Sequence, residues 1–182
     1  MVFTTRFTTV DMSAAYRRRP HDNINATDEA AARFAGLWAV AESEFRLGAN
    51  SVHGPDHWRR VEQNATLLAA ETGADLLVVC LFAVLHDARR QGESTDAGHG
   101  PRAAAWAGEL RGEYFELDDD RFELLVYACA WHDAGQVSSD PTVGTCWDAD
   151  RLDLPRVGIT PDPALMSTEF GRLLAMRPRR RW

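Results

Sequence analysis

Apolar residues recur at helical spacing along most of the chain from residue 27 onward. In segment 27–48, Thr27 is suited to cap a helix, Gly48 is suited to end it, and apolar side chains recur every three or four residues between them. The same pattern, with its flanking caps and glycines, predicts further helices over about 55–71, 75–90, 101–112, 118–135, 145–154 and 168–176. No alternating apolar and polar series indicates a strand. The pattern therefore predicts an all-α domain of six or seven helices.

The longest apolar run, 76–85, is the one segment whose pattern does not separate helix from strand. A continuous apolar run is also typical of a buried strand. The run continues through His86-Asp87 to Arg90 without a turn signal, which favours a central buried helix extending to that residue. It is about half the length needed to cross a bilayer. We therefore expect no membrane association.

The length of 182 residues is that of one ordinary domain. Residues 1–26 show weak periodicity and predict an N-terminal arm, 27–176 form the predicted helical domain, and 177–182 form a short basic tail. The N-terminus lacks the apolar core of a signal peptide, and the three cysteines are far apart in apolar segments. These features predict a cytoplasmic protein with buried free thiols.

Charge and composition exclude several functions. The formal net charge is -7, which argues against a nucleic-acid or anionic-membrane binder as a whole. All 20 basic residues are Arg and none is Lys. This excludes Schiff-base catalysis and the phosphate loop of P-loop NTPases, both of which need a Lys. We expect a small-molecule partner, and the sequence leaves a homo-oligomer open.

Ionisable residues lie in or beside the most apolar segments. His57 begins one predicted helix, and His86-Asp87 ends the apolar run. Further carboxylates lie in a partly apolar segment: Asp148, Asp150 and Asp153. A buried ionisable pair is costly unless something compensates its charge, and a metal ion does so directly. Each residue also has a structural alternative, because a histidine can be a hydrogen-bonded core residue and an aspartate can cap a helix.

The order and context of these residues resemble the HD superfamily of metal-dependent phosphohydrolases. A His shortly precedes Arg-Arg-Val, an apolar helix ends in His-Asp, and an Asp lies in Ala-Asp-Arg-Leu, over about residues 50–160. The resemblance implies an HD-type helical bundle and one divalent ion with four ligands: His57, His86, Asp87 and Asp150. Asp148 is the rival for the last position. Two imidazoles and two carboxylates are compatible with Mn, Fe, Co, Ni or Zn.

The same resemblance implies hydrolysis of a small phosphate ester, with a nucleotide as one candidate. A metal-activated water would attack phosphorus, and Asp87 is the candidate to orient or deprotonate it. HD nucleotidases carry a Glu shortly after the His-Asp pair, where this chain has Arg90. Glu93 and Asp96, further along, are the candidates to replace that acid. Asp153 stands where guanosine tetraphosphate hydrolases carry His-Asn, so that substrate is not supported.

Candidate substrate-binding residues flank the loop that follows the His-Asp pair. The guanidinium groups of Arg89, Arg90 and Arg102 could clamp a phosphate, or serve as solvated residues favoured by a helix C-terminus. His99 lies between two glycines that allow close backbone approach, and His132 ends the fifth predicted helix. We therefore include both histidines among the candidate substrate contacts.

Two other functions remain open from the sequence. HD-domain oxygenases use a di-iron site with two additional histidines between the His-Asp pair and the last Asp, and this chain offers His99 and His132 there. The other alternative is a non-catalytic HD module that binds a nucleotide or acts as a scaffold. A scaffold has no need of a costly buried charge cluster.

Overall fold

The computed structural model describes residues 24–177, with side chains from residue 29 onward. The described chain contains seven α-helices and two short 3-10 helices, and none of its residues belongs to a strand. The prediction of an all-α domain is therefore confirmed. The α-helices are α1 (Ile24–Glu44), α2 (Pro55–Thr72), α3 (Leu76–Leu85), α4 (His99–Leu110), α5 (Asp119–Trp131), α6 (Pro141–Arg151) and α7 (Glu169–Ala175), and the 3-10 helices are Leu154–Val157 and Pro163–Leu165.

Helix α3 is the centre of the fold. It contacts α1, α2, α4, α5 and α6, and every residue from Leu77 to Leu85 is buried. The apolar run is therefore a helix that is buried on all sides. Asp75 begins it, because its side chain accepts a hydrogen bond from the Val78 N–H.

The prediction that α3 continues to Arg90 is wrong. The α-helix ends at Leu85, and residues 86–89 form turns. The N–H of Ala88 donates to the carbonyl of Leu85, and that of Arg90 donates to the carbonyl of Asp87. These bonds span three residues instead of four, so the chain tightens as soon as the apolar run is complete. His86 and Asp87 consequently lie at the end of the buried helix.

Other helix boundaries follow local capping. Gly73 has a φ of 71° and ends α2 as the sequence predicts. Helix α6 begins at Pro141, before the predicted start, because Asp140 accepts hydrogen bonds from two N–H groups of its first turn. Thr168 caps α7 in the same way. Each boundary is set by a side chain or glycine that satisfies the free groups of the helix end.

The predicted arm and tail lie mostly outside the described residues. Helix α1 begins at Ile24, so the last residues of the predicted arm belong to it and Thr27 is not its cap. Residues 1–23 and 178–182 lie outside the described chain, and the proposed division into arm, domain and tail stays a prediction. None of the described helices is both long and apolar enough to cross a membrane. The three cysteines are buried and free, as predicted.

A close contact between α4 and α5 determines where two histidines meet. A Cβ atom on Gly100 would lie 2.7 Å from the carbonyl oxygen of Cys129 and 2.8 Å from that of Ala130. Only glycine allows this approach of the two backbones. The contact brings His99, the first residue of α4, beside His132, which follows the last residue of α5.

Candidate metal centre

Residues from α2, from α6 and from the turn after α3 form the first of two side-chain groups. Group A consists of His57, His86 and Asp150, whose ligand atoms lie within 4.8 Å of one another. The Nε2 atoms of His57 and His86 are 3.0 Å apart. Asp150 Oδ1 lies 3.3 Å from the first and 3.8 Å from the second. Both imidazoles are shielded from solvent.

The second group joins the His-Asp pair to the α4–α5 contact. Group B consists of Asp87, His99 and His132, all buried and with ligand atoms within the same 4.8 Å. The Nε2 atoms of the two histidines are 2.8 Å apart. Asp87 Oδ1 lies 3.2 Å from the Nε2 of His99 and 3.6 Å from that of His132.

Asp87 connects the two groups through its two carboxylate oxygens. While Oδ1 faces group B, Oδ2 lies 3.7 Å from His57 Nε2 and 3.9 Å from His86 Nε2. His53 Nδ1 also lies 2.9 Å from Oδ2, and Arg90 Nη1 donates to Oδ1 at 3.2 Å. Burial acts to raise the pKa of the Asp87 carboxyl, but the charge and hydrogen bonds of the surrounding histidines hold it well below its ordinary value. Asp87 is therefore an ionised carboxylate shared by both groups.

The outer ring nitrogens of the four histidines are held by fixed acceptors. His86 Nδ1 donates to the carbonyls of residues 82 and 83, His99 Nδ1 to that of residue 96, and His132 Nδ1 to that of residue 129. His57 Nδ1 instead donates to the carboxylate of Asp153, at 2.8 Å. Because these oxygens only accept hydrogen bonds, each Nδ1 carries its hydrogen. Each Nε2 is then directed into the site.

The Nε2 contacts show that the residues fit a cation. When Nδ1 carries the hydrogen of a neutral imidazole, Nε2 presents a lone pair, so the contacts of 3.0 Å and 2.8 Å bring two acceptors together. Such a contact is stable only with a proton or a metal ion between the acceptors. Two nitrogens bound to one ion at about 2.0–2.1 Å and at right angles would be about 2.8–3.0 Å apart. The donor sets and their spacing therefore suit divalent metal ions.

The protonation of group A reflects its burial and its carboxylates. Burial lowers the pKa of His86 to about 3. Burial also acts to lower the pKa of His57, but hydrogen bonds with Asp150 and Asp153 raise it above its ordinary value. For Asp150 burial acts to raise the pKa, and the histidines lower it further than burial raises it. Group A thus keeps an ionised carboxylate and a neutral imidazole, the forms that bind metal.

The loop arginines predicted to bind substrate lie in different surroundings. Arg90 is at the centre, since its Nη1 contacts Asp87 and lies 3.3 Å from His99 Nε2. Arg89 instead forms an ion pair with Glu44 and packs over the ring of Trp106. The structure therefore brings Arg90 into the site and directs the guanidinium of Arg89 toward the α1 and α4 side.

Arg102 and the two predicted acids of the loop contact neither group through their side chains in the described contacts. The Asp96 carboxylate accepts hydrogen bonds from Arg102 and from the N–H of Gln91, and it thereby braces the loop. The hydrogen bond with Arg102 lowers the pKa of Asp96 to about 2, so this carboxyl is ionised and poorly suited to donate a proton. Glu93 is exposed in the same loop.

Asp148, the rival of Asp150, has a structural position. It is fully buried, and its carboxylate accepts hydrogen bonds from the N–H of Ser167 and from the N–H and hydroxyl of Thr168. It therefore holds the segment that leads into α7. Asp150, two residues later, is rotated about 200° around the helix and faces group A.

Sequence reasoning missed two residues around the centre, His53 and Arg156, and it named Asp153 among the nearby carboxylates without giving it a role. His53 contacts Asp87, Asp153 holds His57, and Arg156 lies 3.9 Å from Asp150. His53 lies four residues before His57, in the turn that leads into α2, and this proximity in the sequence could have signalled it. The other two follow Asp150 within six positions, but no spacing rule distinguishes them from ordinary polar residues there.

The structure is similar to the crystal structure of a predicted HD superfamily hydrolase from an uncultured Thermotogales bacterium. The similarity has a TM-score of 0.63 and covers 79% of this chain and 83% of that chain, at 24% sequence identity. The chain has the HD-domain fold. No protein-family model matches the sequence, and no curated protein matches it significantly.

Proposed function

We propose that this HD domain is a metal-dependent hydrolase of small phosphate esters, with one divalent ion in group A and one in group B. The observation that carries the proposal is the position of Asp87. Its Oδ2 faces His57 and His86, and its Oδ1 faces His99 and His132. A carboxylate with one oxygen toward each group can serve as a ligand in both, an arrangement suited to two-metal phosphoryl chemistry.

The charge of the donor set favours an anionic substrate. With all four imidazoles in the neutral form that binds metal, the donor set carries the two negative charges of Asp87 and Asp150. Two bound divalent ions would outweigh these negative charges and leave two net positive charges on the site. This net charge complements the dianion of a phosphate monoester. When bound, such ions polarise a phosphoryl oxygen and lower the pKa of a bound water toward neutrality. The donors suit Mn, Fe, Co, Ni or Zn.

Asp87 is better suited to positioning than to proton transfer. Both of its oxygens are engaged, one with His53 and the other with Arg90, in addition to the histidines of the two groups. A carboxylate held in this way fixes the separation of the groups and has no free oxygen to accept a proton from water. We therefore assign it the role of an anchor.

Arg90 is the loop arginine best placed to contact the phosphoryl group. Its guanidinium is mostly buried and lies against Asp87 and His99. A guanidinium beside the ligands can neutralise charge that develops on phosphoryl oxygens. Arg89 and Arg102 are engaged with Glu44 and with the Asp96 loop brace, so substrate contacts by these two remain predictions.

A second candidate is a di-iron oxygenase, and group B is the observation that favours it. The resemblance to HD-domain oxygenases rests on two additional histidines, and His99 and His132 are the histidines of group B. Two bound ions are expected for both functions, so the number of ions does not separate them. The reaction does, because an iron-loaded oxygenase consumes dioxygen and a hydrolase releases phosphate.

The proposal is tested by metal content and turnover in matched variants. Phosphate release is measured with a panel of nucleotides and sugar phosphates, and metal content by mass spectrometry. The unmodified protein is expected to hold two ions per chain and to release phosphate. His86→Ala and His132→Ala are each expected to hold less metal and to lose turnover, while Asp56→Asn, one residue before His57, leaves both unchanged.

The other outcomes are equally informative. Dioxygen consumption by the iron-loaded protein without phosphate release would replace hydrolysis with oxygenation. Metal binding with neither reaction would favour a non-catalytic nucleotide-binding module. A protein that binds no divalent metal would refute the proposal.

A further inference from the structure

Arg156 is a mostly buried arginine at the edge of group A. It lies in the 3-10 helix Leu154–Val157, directly after α6, and its side chain is 10% exposed. Its Nε donates to the carbonyl of Val52 at 2.8 Å, and its Nη2 lies 3.5 Å from His53 Nδ1. These contacts hold the guanidinium between the start of α2 and the end of α6.

The third nitrogen of this guanidinium has no hydrogen-bond acceptor within the described chain. Arg156 Nη1 is buried, and it is 3.9 Å from both Asp150 Oδ1 and Asp153 Oδ2, beyond hydrogen-bond distance. A buried cationic N–H group without an acceptor is costly. The two carboxylates attract the guanidinium electrostatically but do not satisfy its N–H groups.

Both neighbouring carboxylates already have closer partners. Asp153 accepts from His57 Nδ1 and from Arg60 Nε, each at 2.8 Å, and Asp150 lies 3.3 Å from His57 Nε2. Arg156 Nη1 therefore remains beside group A with its hydrogens unused. Because a guanidinium only donates hydrogen bonds, the missing partner is an acceptor, and an anionic oxygen is the one that matches its charge.

We propose that Arg156 is a substrate-binding residue whose Nη1 donates to a non-bridging oxygen of the phosphoryl group beside group A. The inference rests on the proposed hydrolase function and adds a second arginine to it, on the opposite side of Asp87 from Arg90. Asp87 Oδ1 contacts Arg90, whereas Arg156 is adjacent to the Asp150 side of group A. Two guanidinium groups would then flank the phosphoryl group.

Inorganic phosphate is the probe, and isothermal titration calorimetry of the Mn²⁺-loaded protein is the measurement. Arg156→Gln is expected to weaken phosphate binding by about tenfold or more, because it removes a charge-assisted hydrogen bond. Arg156→Lys, which retains the charge without the planar donors, is expected to bind phosphate with intermediate affinity. Arg59→Gln is the matched control, since Arg59 pairs with Glu42 on the outer side of α2, and its phosphate affinity is expected to stay unchanged.

Metal content separates substrate binding from a structural role. The Arg156 variants are expected to hold as much Mn²⁺ as the unmodified protein and, with a hydrolysed ester, to show a raised KM. If Arg156→Gln does not fold by circular dichroism, Arg156→Lys decides the question by the same two measurements. Unchanged phosphate affinity in a folded, metal-loaded variant of a protein that hydrolyses phosphate esters would overturn this inference alone. Failure of the unmodified protein to bind metal would overturn the proposed function and this inference with it.

Discussion

Asp153 offers a direct test of how the histidines of group A are held. Among the four histidines of groups A and B, only His57 has a side chain as the described acceptor of its Nδ1–H. A substitution can therefore remove this acceptor, whereas the main-chain carbonyls that hold the others cannot be substituted. Asp153→Ala removes it, and Asp153→Asn keeps an oxygen acceptor but loses the charge.

The expected size of the effect follows from the contact. Asp153 is 8% exposed and accepts from His57 Nδ1 at 2.8 Å, so the bond is charged and nearly buried. Hydrogen bonds to charged groups contribute about 1.5–3 kcal/mol. Loss of a group that orients a ligand typically weakens metal binding about 10–100-fold, which is about 1.4–2.7 kcal/mol. We expect this range for Asp153→Ala and less than about tenfold for Asp153→Asn, because an acceptor remains.

A competition titration with a chromophoric chelator measures the effect at both groups. Asp153→Ala should weaken one binding phase, that of group A, and leave the phase of group B unchanged as an internal reference. Arg60→Gln is the control, because it removes the other partner of Asp153 and keeps the contact with His57. Equal weakening of both phases, or no weakening, would refute the argument that Asp153 positions His57.

Three further predictions concern stability. Chelation of bound metal should lower the midpoint of thermal unfolding by about 5–11 °C per site, because metal at a hundredfold excess over Kd stabilises the folded state by about 2.7 kcal/mol. A midpoint that changes neither on chelation nor on re-addition of metal would contradict this. Gly100→Ala should lower the free energy of unfolding in urea by about 1–3 kcal/mol and weaken metal binding in group B alone, because its Cβ would collide with the carbonyls of Cys129 and Ala130; unchanged group B affinity would count against it. Asp75→Ala should lower the free energy of unfolding by about 1–2 kcal/mol at pH 7, through loss of the α3 cap and of the ion pair with Arg121. Burial acts to raise the pKa of Asp75, but the Arg121 hydrogen bond lowers it overall, so this difference should be constant above about pH 5 and shrink as pH falls below about 4; a difference that does not shrink with falling pH would be inconsistent.

The sequence predicts the helices best where capping and burial agree. Asp75 and the apolar run after it specify α3, and Asp118 and Thr168 cap α5 and α7 as their positions suggest. The end of α3 was not predictable, because His86 and Asp87 carry no turn signal. After Leu85 the backbone hydrogen bonds span three residues instead of four, and the His86 and Asp87 side chains contact residues of other helices. Such contacts depend on how the helices pack, so the local sequence does not predict them.

The sequence names the residues of groups A and B as candidates, but it does not predict which of them contact one another. The family resemblance favours Asp150 over Asp148, but spacing alone does not separate them. The structure does, because the Asp148 carboxylate binds the segment before α7 while Asp150 faces group A. His99 and His132 are 33 residues apart, and their contact depends on the close approach of α4 and α5 at Gly100. Pairing across such a distance depends on how helices pack, and local patterns do not contain that information.

The carbonyl acceptors behind three of the histidines also bear on how this protein tolerates sequence change. Every amino acid supplies a peptide carbonyl, so residues 82, 83, 96 and 129 can be replaced without losing the acceptors that orient His86, His99 and His132. The donor geometry then depends on the side-chain type at few positions, chiefly the ligands themselves, Asp153 and Gly100. Homologous chains can accordingly diverge widely in the surrounding sequence while keeping the same donor geometry.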